Sequence, residues 1–117
     1  AQVAALEALR NGEAAAREMA EEYNHRRRTI VKGLNDMGLP CREPQGAFYA
    51  FPNIKSTGLS SVEFAEKLLM EERVAVVPGA AFGACGEGYV RCCYAVAPQD
   101  IEEALRRMGR FMSRLRR

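Results

Sequence analysis

A long helical pattern near the start of the chain constrains its fold more than any other feature. From residue 13 to about residue 37, apolar side chains recur every three or four positions, which predicts one α-helix of about 25 residues and roughly 37 Å. Gly38 and Pro40 end it, because glycine favours the left-handed cap and proline cannot continue a helix. With 117 residues, the chain is the size of one compact domain, which does not need so long a helix for its own core. We expect residues 13–22, rich in Ala and Glu, to cross onto something outside this chain.

The first twelve residues predict the end of another helix. Residues 1–9 are rich in alanine and leucine, and Asn11-Gly12 then interrupts the pattern, as a stop or a tight turn does. The segment lacks an initiating methionine and an apolar signal core, so we expect the chain to begin inside a longer protein. No apolar run approaches the roughly 20 residues that cross a bilayer, and the sequence therefore predicts no membrane partner.

The remaining predicted elements are short. A capping box of Ser60 and Glu63 opens a helix that runs to about residue 72, and Pro98 stands at the first position of a last helix. The apolar stripes of these two helices are Val62, Ala65, Leu68 and Leu69, and Ile101, Leu105, Met108, Met112 and Leu115. Strands are predicted at residues 46–51, 74–77 and 89–95. The order α-β-α-β-β-α predicts an α/β (α+β) two-layer sandwich, in which helices cover one face of a small sheet of three to four strands.

The charge balance argues against a nucleic-acid partner. The net charge is only +2, whereas nucleic-acid-binding domains are strongly basic. The excess is concentrated in residues 98–117, which carry six arginines and three acids. These arginines are interpreted as a solvated helix face that complements the helix dipole, with a surface for an anionic partner as the alternative.

The cysteines and the single histidine do not form a pattern for metal binding or nucleophilic catalysis. The four cysteines have no C-x-x-C spacing, and His25 is the only histidine, so a zinc site lacks ligands and a catalytic triad lacks a nucleophile turn. Cys92 and Cys93, as adjacent strand residues, should point to opposite faces. Reduced and mostly buried thiols in a cytoplasmic protein are the best interpretation.

Arg91 is the most informative candidate for a binding residue. It lies inside the last predicted strand, where an unpaired charge is costly, and its planar fork fits a carboxylate. Spacing by itself favours an internal salt bridge to Glu87 or Glu43 over a ligand site. The glycine-rich loop at residues 77–83 changes that balance, because it lets the backbone approach a ligand closely. This loop leads to a strand, and so it is no dinucleotide-binding fingerprint.

Three ordered blocks of sequence carry a family resemblance. Residues 44–52 (PQGAFYAFP), 76–83 (VVPGAAFG) and 86–95 (GEGYVRCCYA) resemble the C-terminal portion of class I and II aminotransferases, which are fold-type I pyridoxal-phosphate enzymes related to aspartate aminotransferase. The resemblance covers nearly the whole chain. It implies that residues 1–12 are the end of the helix leaving a large domain, and that residues 13–117 are the small C-terminal domain.

The resemblance also implies roles for particular residues. Arg91 matches the family arginine that binds the α-carboxylate of the substrate, and Gly46 matches a glycine whose backbone lines the substrate pocket. Phe82 and Gly83 match the loop beside that pocket, whereas Phe48 and Tyr49 are expected in the core rather than against a ligand. The resemblance further implies pyridoxal 5'-phosphate as cofactor, an amino acid and a 2-oxo acid as substrates, and a homodimer.

The groups that hold the cofactor in this family should lie upstream of residue 1. The Schiff-base lysine belongs to the large domain, as do the acid facing the pyridine nitrogen and most phosphate ligands. Lys32, Lys55 and Lys67 are in no comparable context, so we assign no catalytic, cofactor-binding or metal-binding residue to this chain. The resemblance implies an aminotransferase when full-length and no activity of these 117 residues by themselves. A carbon-ligase or lyase relative stays open, because fold does not determine reaction type.

The alternative function is a stand-alone α/β binding module. Such a module would use Arg91 for a small carboxylate, or residues 106–117 for an anionic partner. Tyr49 and Phe51 could also imitate a base-stacking sheet, but the acid-rich first helix and the near-neutral charge argue against nucleic acid.

Overall fold

The computed structural model describes all 117 residues, as four helices and three short strands in the predicted order. The helices are α1 (Gln2–Asn11), α2 (Glu13–Asp36), α3 (Ser61–Glu72) and α4 (Pro98–Leu115), and the strands are β1 (Tyr49–Ala50), β2 (Val77–Pro78) and β3 (Val90–Cys93). Short 3-10 turns occupy Lys55–Thr57, Gly79–Phe82 and Ala84–Gly86. The predicted fold class is confirmed.

The sheet has three strands, with β3 in the centre and both neighbours antiparallel to it. All three strands are shorter than predicted, and β2 shares only Val77 with the predicted range 74–77. Before β1, Ala47 has a φ of +61°, which is not an extended conformation. Within β3, Val90 and Cys92 are buried while Arg91 between them is not, because successive side chains point to opposite faces.

The core lies between the sheet and helices α2, α3 and α4. Its largest fully buried side chains include Leu34, Phe64, Leu68, Val90, Tyr94 and Phe111. Phe64 meets Phe111 edge to face, with ring centroids 5.3 Å apart and planes at 86°, which is a favoured aromatic geometry. These contacts join α3 to α4.

The apolar stripe predicted for α3 is partly wrong. Val62 and Leu69 are 44% and 45% exposed, whereas Phe64, which lies outside the predicted stripe, is fully buried. The helix presents Ser61, Phe64 and Leu68 to the core, because an aromatic ring buries more apolar area than a valine at the rim.

The helix ends follow the sequence signals. The Ser60 hydroxyl accepts from the Glu63 backbone N–H, and the Glu63 carboxylate accepts from the Ser60 N–H, which completes the predicted capping box. Gly38, at φ +85°, ends α2 in a Schellman motif, since its N–H donates to Asn35 O and the Leu39 N–H donates to Leu34 O.

The N-terminal helices extend away from the core. Helix α1 has no buried residue, and the first buried residue of α2 is Ile30. The predicted break falls at Gly12, where the backbone remains in the right-handed helical region and its N–H donates to Ala8 O. The molecule is elongated, with extents of 55 × 29 × 24 Å. Each helix falls short of the length or the apolar content that a bilayer-spanning segment requires.

Candidate functional site

The Arg91 guanidinium lies against two aromatic rings on the face of the sheet opposite the helices. Its central carbon is 4.3 Å from the ring centroid of Tyr49 and 4.9 Å from that of Phe82. Both distances are within the range of cation–π attraction. Tyr49 comes from the neighbouring strand β1, and Phe82 comes from the loop that precedes β3.

Arg91 has no carboxylate partner within the chain, so the predicted salt bridge to Glu87 or Glu43 is wrong. The Glu87 carboxylate accepts hydrogen bonds from Ser61 instead, and Glu43 lies 3.8 Å from Arg27. The Arg91 Nε is buried and has no hydrogen-bond partner. Such an unsatisfied donor is rare and costly in a folded protein. The site therefore holds a cation between two aromatic rings, with no carboxylate of the chain to neutralise it.

Two 3-10 turns packed against each other place Phe82 over Arg91. The backbones of Gly79 and Gly86 are so close that a Cβ on either one would overlap the carbonyl oxygen of the other. Between the turns, Gly83 has a φ of +116°, in the region that favours glycine. The three glycines thus permit a tight loop. Phe82 lies at the exposed edge of this loop, and its side chain is 54% exposed.

Ser61, at the start of α3, connects this loop to the helix. The Glu87 carboxylate accepts from the Ser61 backbone N–H at 2.8 Å and from the Ser61 hydroxyl at 2.7 Å. The same hydroxyl accepts from the Ala80 N–H at 3.3 Å. The hydrogen bonds from the Ser61 hydroxyl and N–H lower the pKa of Glu87 from its usual value. The sequence pattern does not predict this connection, since the two residues are 26 positions apart in the chain.

Further aromatic rings surround the site. Phe51 stacks on Tyr89, with centroids 5.4 Å apart and planes at 3°, and its ring meets Phe82 edge to face at 6.3 Å. A cleft of about 550 Å³ opens beside Tyr49, Phe51 and Tyr89 and is walled by residues 40–44. The expectation that Phe48 and Tyr49 belong to the core is wrong, because Tyr49 contacts Arg91 and Phe48 is 37% exposed and stacks on Tyr23.

Gly46 lies in the bend before β1. A Cβ at Gly46 would meet no atom within 4 Å, so the space beside this glycine is open. The neighbouring Ala47 keeps its left-handed conformation because Tyr94 holds it: the Tyr94 hydroxyl donates to Ala47 O at 3.1 Å, and the Tyr94 N–H donates to Phe48 O at 2.8 Å. The pocket-lining role of Gly46 remains a prediction.

The arginines of α4 are largely neutralised within the chain. Arg106 and Arg107 both pair with Glu103 and lower its pKa to about 2. Arg110 and Arg114 both pair with the buried Glu72, whose side chain is 3% exposed. These pairs count against a surface for an anionic partner at residues 106–117, and they contrast with the unpaired Arg91.

The lysines lie at positions that serve other contacts or the surface. Lys32 pairs with Asp36 one helical turn away, and Lys55 lies over the Tyr89 ring, with Nζ 5.2 Å from its centroid. Lys67 is exposed on α3, as His25 is on α2.

The cysteines divide evenly between the interior and the surface. Cys41 and Cys92 are buried, and Cys85 and Cys93 are exposed. The predicted opposite orientation of Cys92 and Cys93 is confirmed, but the thiols are not mostly buried. Burial raises the pKa of Cys92 to about 12, which disfavours a reactive thiolate.

Comparisons with known proteins agree on one family. The family described as "Aminotransferase class I and II" matches residues 1–108. The chain is 55% identical over 113 residues to an aspartate aminotransferase of Pyrococcus abyssi, covering 95% of this chain and 29% of that protein. It thus spans less than a third of the length of the curated relatives it matches.

Solved structures show the same arrangement. The aromatic aminotransferase of Pyrococcus horikoshii OT3 superposes with a TM-score of 0.85 at 54% identity, covering 86% of this chain and 27% of that one. A PLP-bound Clostridium difficile 630 protein, assigned as an aminotransferase, superposes with a TM-score of 0.83 at 28% identity, covering 90% of this chain and 28% of that one.

Proposed function

The chain belongs to the class I and II aminotransferase family, and from this premise we propose that it is the part of a pyridoxal-phosphate-dependent amino-acid aminotransferase that holds the substrate carboxylate. The observation that carries the proposal is that Arg91 has no anionic partner within the chain. Its guanidinium is held by Tyr49 and Phe82, its Nε is buried without a partner, and no carboxylate of the chain neutralises it.

An α-carboxylate fits this site chemically. A guanidinium offers parallel N–H donors that match the two oxygens of a carboxylate. An amino acid and its 2-oxo acid product carry the same carboxylate, so one anchor serves both halves of the exchange. Tyr49 and Phe82 restrict the guanidinium and keep water from it, which orients the bound substrate before any bond changes. Phe82 and Gly83 then form the wall of the substrate pocket, and Gly46 lines it through its backbone.

The residues of this chain fit the substrate better than they fit the cofactor. Pyridoxal phosphate, when bound, supplies the electron sink for amino-group exchange. The unpartnered donor next to the aromatic rings is an arginine, whereas the three lysines pair with Asp36, contact Tyr89 or stand on the surface. We therefore propose that the lysine and phosphate ligands for the cofactor belong to the rest of a longer protein, and that the 117 residues have no activity without it.

The exposed N-terminal helices support a proposal for the organisation of that longer protein. We propose that residues 1–12 end the helix leaving a large domain, and that residues 13–117 form the small C-terminal domain. The exposed side chains of Val3, Leu6 and Leu9 on α1 support a partner surface there. We also propose that the full protein is a homodimer. A cytoplasmic location is proposed because the four cysteines are free.

The test is the kinetics of the longer protein with Arg91 replaced. We expect Arg91→Ala to lower kcat/KM for the amino acid about 100-fold or more, because a desolvated charge pair is lost. Arg91→Lys should recover only part of this, since it keeps the charge but not the fork. Arg28→Ala, at an exposed position of α2, is the matched control and should leave the kinetics unchanged.

Two results would contradict the proposal. Unchanged kinetics in Arg91→Ala would remove Arg91 from the site. A longer protein that binds carboxylates at Arg91 but exchanges no amino group would favour the binding-module alternative.

A further inference from the structure

Ser61 is the one residue through which both ends of the Phe82 loop are tied to α3. Its hydroxyl accepts from the Ala80 N–H at the start of the loop and donates to Glu87 at its end. Its backbone N–H donates to the other oxygen of the same carboxylate. Ser61 is fully buried whereas Glu87 is exposed, so these hydrogen bonds are shielded from water on the Ser61 side.

The position of Phe82 depends on this attachment. Apart from it, the loop is held by hydrogen bonds between its own residues and by two with Tyr89, whose carbonyl accepts from the Gly79 N–H at 2.8 Å and whose N–H donates to Gly86 O at 3.2 Å. The Phe82 ring is more than half exposed, and its aromatic contact within the chain is with Phe51. Little else keeps the ring over the guanidinium if the turn that carries it shifts.

We propose that Ser61 and Glu87 are positioning residues, which hold Phe82 over Arg91 and so keep the guanidinium ready for an anion. Neither residue touches Arg91, and both act through the backbone of the turn Gly79–Phe82. The identity of the anion as a carboxylate rests on the proposed function, whereas the positioning itself does not.

A spectroscopic test reads the position of the ring directly. In the 15N-labelled 117-residue chain, we expect the ring currents of Tyr49 and Phe82 to shift the Arg91 Nε–H resonance, and Arg91→Lys assigns it by its disappearance. We expect Ser61→Ala and Glu87→Ala to move this resonance toward that of a free arginine. Acetate, titrated as the probe, should bind to both variants about tenfold more weakly, because the guanidinium must then be immobilised on binding.

Glu63→Ala is the matched control. Glu63 caps the same end of α3 but does not contact the loop, so this variant weakens the helix terminus and should leave the Arg91 resonance in place. If Glu87→Ala does not fold, Glu87→Gln keeps the shape of the side chain and should produce a smaller shift in the same direction.

The outcomes separate the two proposals. An unmoved Arg91 resonance in the Ser61 and Glu87 variants would overturn the positioning role, and so would an equal movement in Glu63→Ala. A wild-type chain whose Arg91 resonance does not respond to acetate would instead count against the carboxylate site, while the acetate-free spectra would still decide the positioning role.

Discussion

Tyr49 and Arg91 are diagonal neighbours on adjacent strands, and the guanidinium carbon of Arg91 lies 4.3 Å from the ring centroid of Tyr49. The register explains the contact. Tyr49 stands opposite Cys93 in the β1–β3 pair, and Arg91 is two residues from Cys93 on the same strand, hence on the same face. The ring therefore supports the cation from the sheet side.

Removal of that ring should weaken anion binding at Arg91. We expect Tyr49→Leu to reduce the affinity of the 117-residue chain for acetate about three- to tenfold, which is the range for loss of a partly desolvated cation–π contact. Tyr49→Phe keeps the ring and should bind acetate as the wild type does. The measurement is an NMR titration followed at the Arg91 Nε–H. Equal losses in the two variants would assign the effect to the hydroxyl group instead.

The glycine pair of the Phe82 loop should not tolerate a side chain. Gly79→Ala is expected to destabilise the chain by about 1–3 kcal/mol, because its Cβ would overlap the Gly86 carbonyl. Gly109→Ala, in the middle of α4 with no atom within 4 Å of the added Cβ, should stabilise it by about 0.5–1 kcal/mol. Urea unfolding of both variants measures the two changes. Opposite signs are expected, and a neutral Gly79→Ala would contradict the close backbone contact.

The hydroxyl of Tyr94 should contribute to the stability of the chain independently of the buried ring. Tyr94→Phe removes the hydrogen bond to Ala47 O while keeping the buried ring, and we expect a loss of about 1 kcal/mol in the free energy of unfolding. The released turn should also exchange its amide protons faster at residues 46–48. Unchanged exchange in this variant would show that the Tyr94 hydroxyl does not hold Ala47 in its left-handed conformation.

Acid should destabilise the chain through three glutamates. Hydrogen bonds from Arg110, the Ser61 hydroxyl and Arg106 are the largest causes that lower the pKa values of Glu72, Glu87 and Glu103, the last from 4.5 to about 2. The unfolded chain therefore takes up protons first as the pH falls. This stabilisation is present above about pH 4.5 and is lost progressively toward about pH 2.

The free energy of urea unfolding, measured across that range, checks the acid effect. Glu103→Gln removes one of the shifted groups and should flatten the pH dependence. Glu66→Gln, at an exposed position of α3 without an ion pair, is the control and should not. A wild-type curve that is level between about pH 5 and pH 2 would contradict the effect.

The elements whose signals are local were predictable from the sequence. The capping box of Ser60 and Glu63, the Gly38 cap and the break at Gly12 each depend on residues within about five positions. The order of helices and strands follows from such signals and from apolar periodicity, and so does the fold class. The three blocks of family resemblance located Arg91 as the candidate anchor, and its place inside an apolar strand predicted that its charge needs an anionic partner.

Only the tertiary structure decided which residues meet. Strand β1 proved short because Ala47 leaves the extended region, and α3 is rotated to bury Phe64 in place of Val62. Arg91 contacts two aromatic rings rather than Glu87, because the Glu87 carboxylate is hydrogen-bonded to Ser61. The arginines of α4 pair with Glu72 and Glu103. Partners such as these depend on strand register and helix packing, which bring together groups from distant parts of the chain, and a linear pattern carries no measure of those distances.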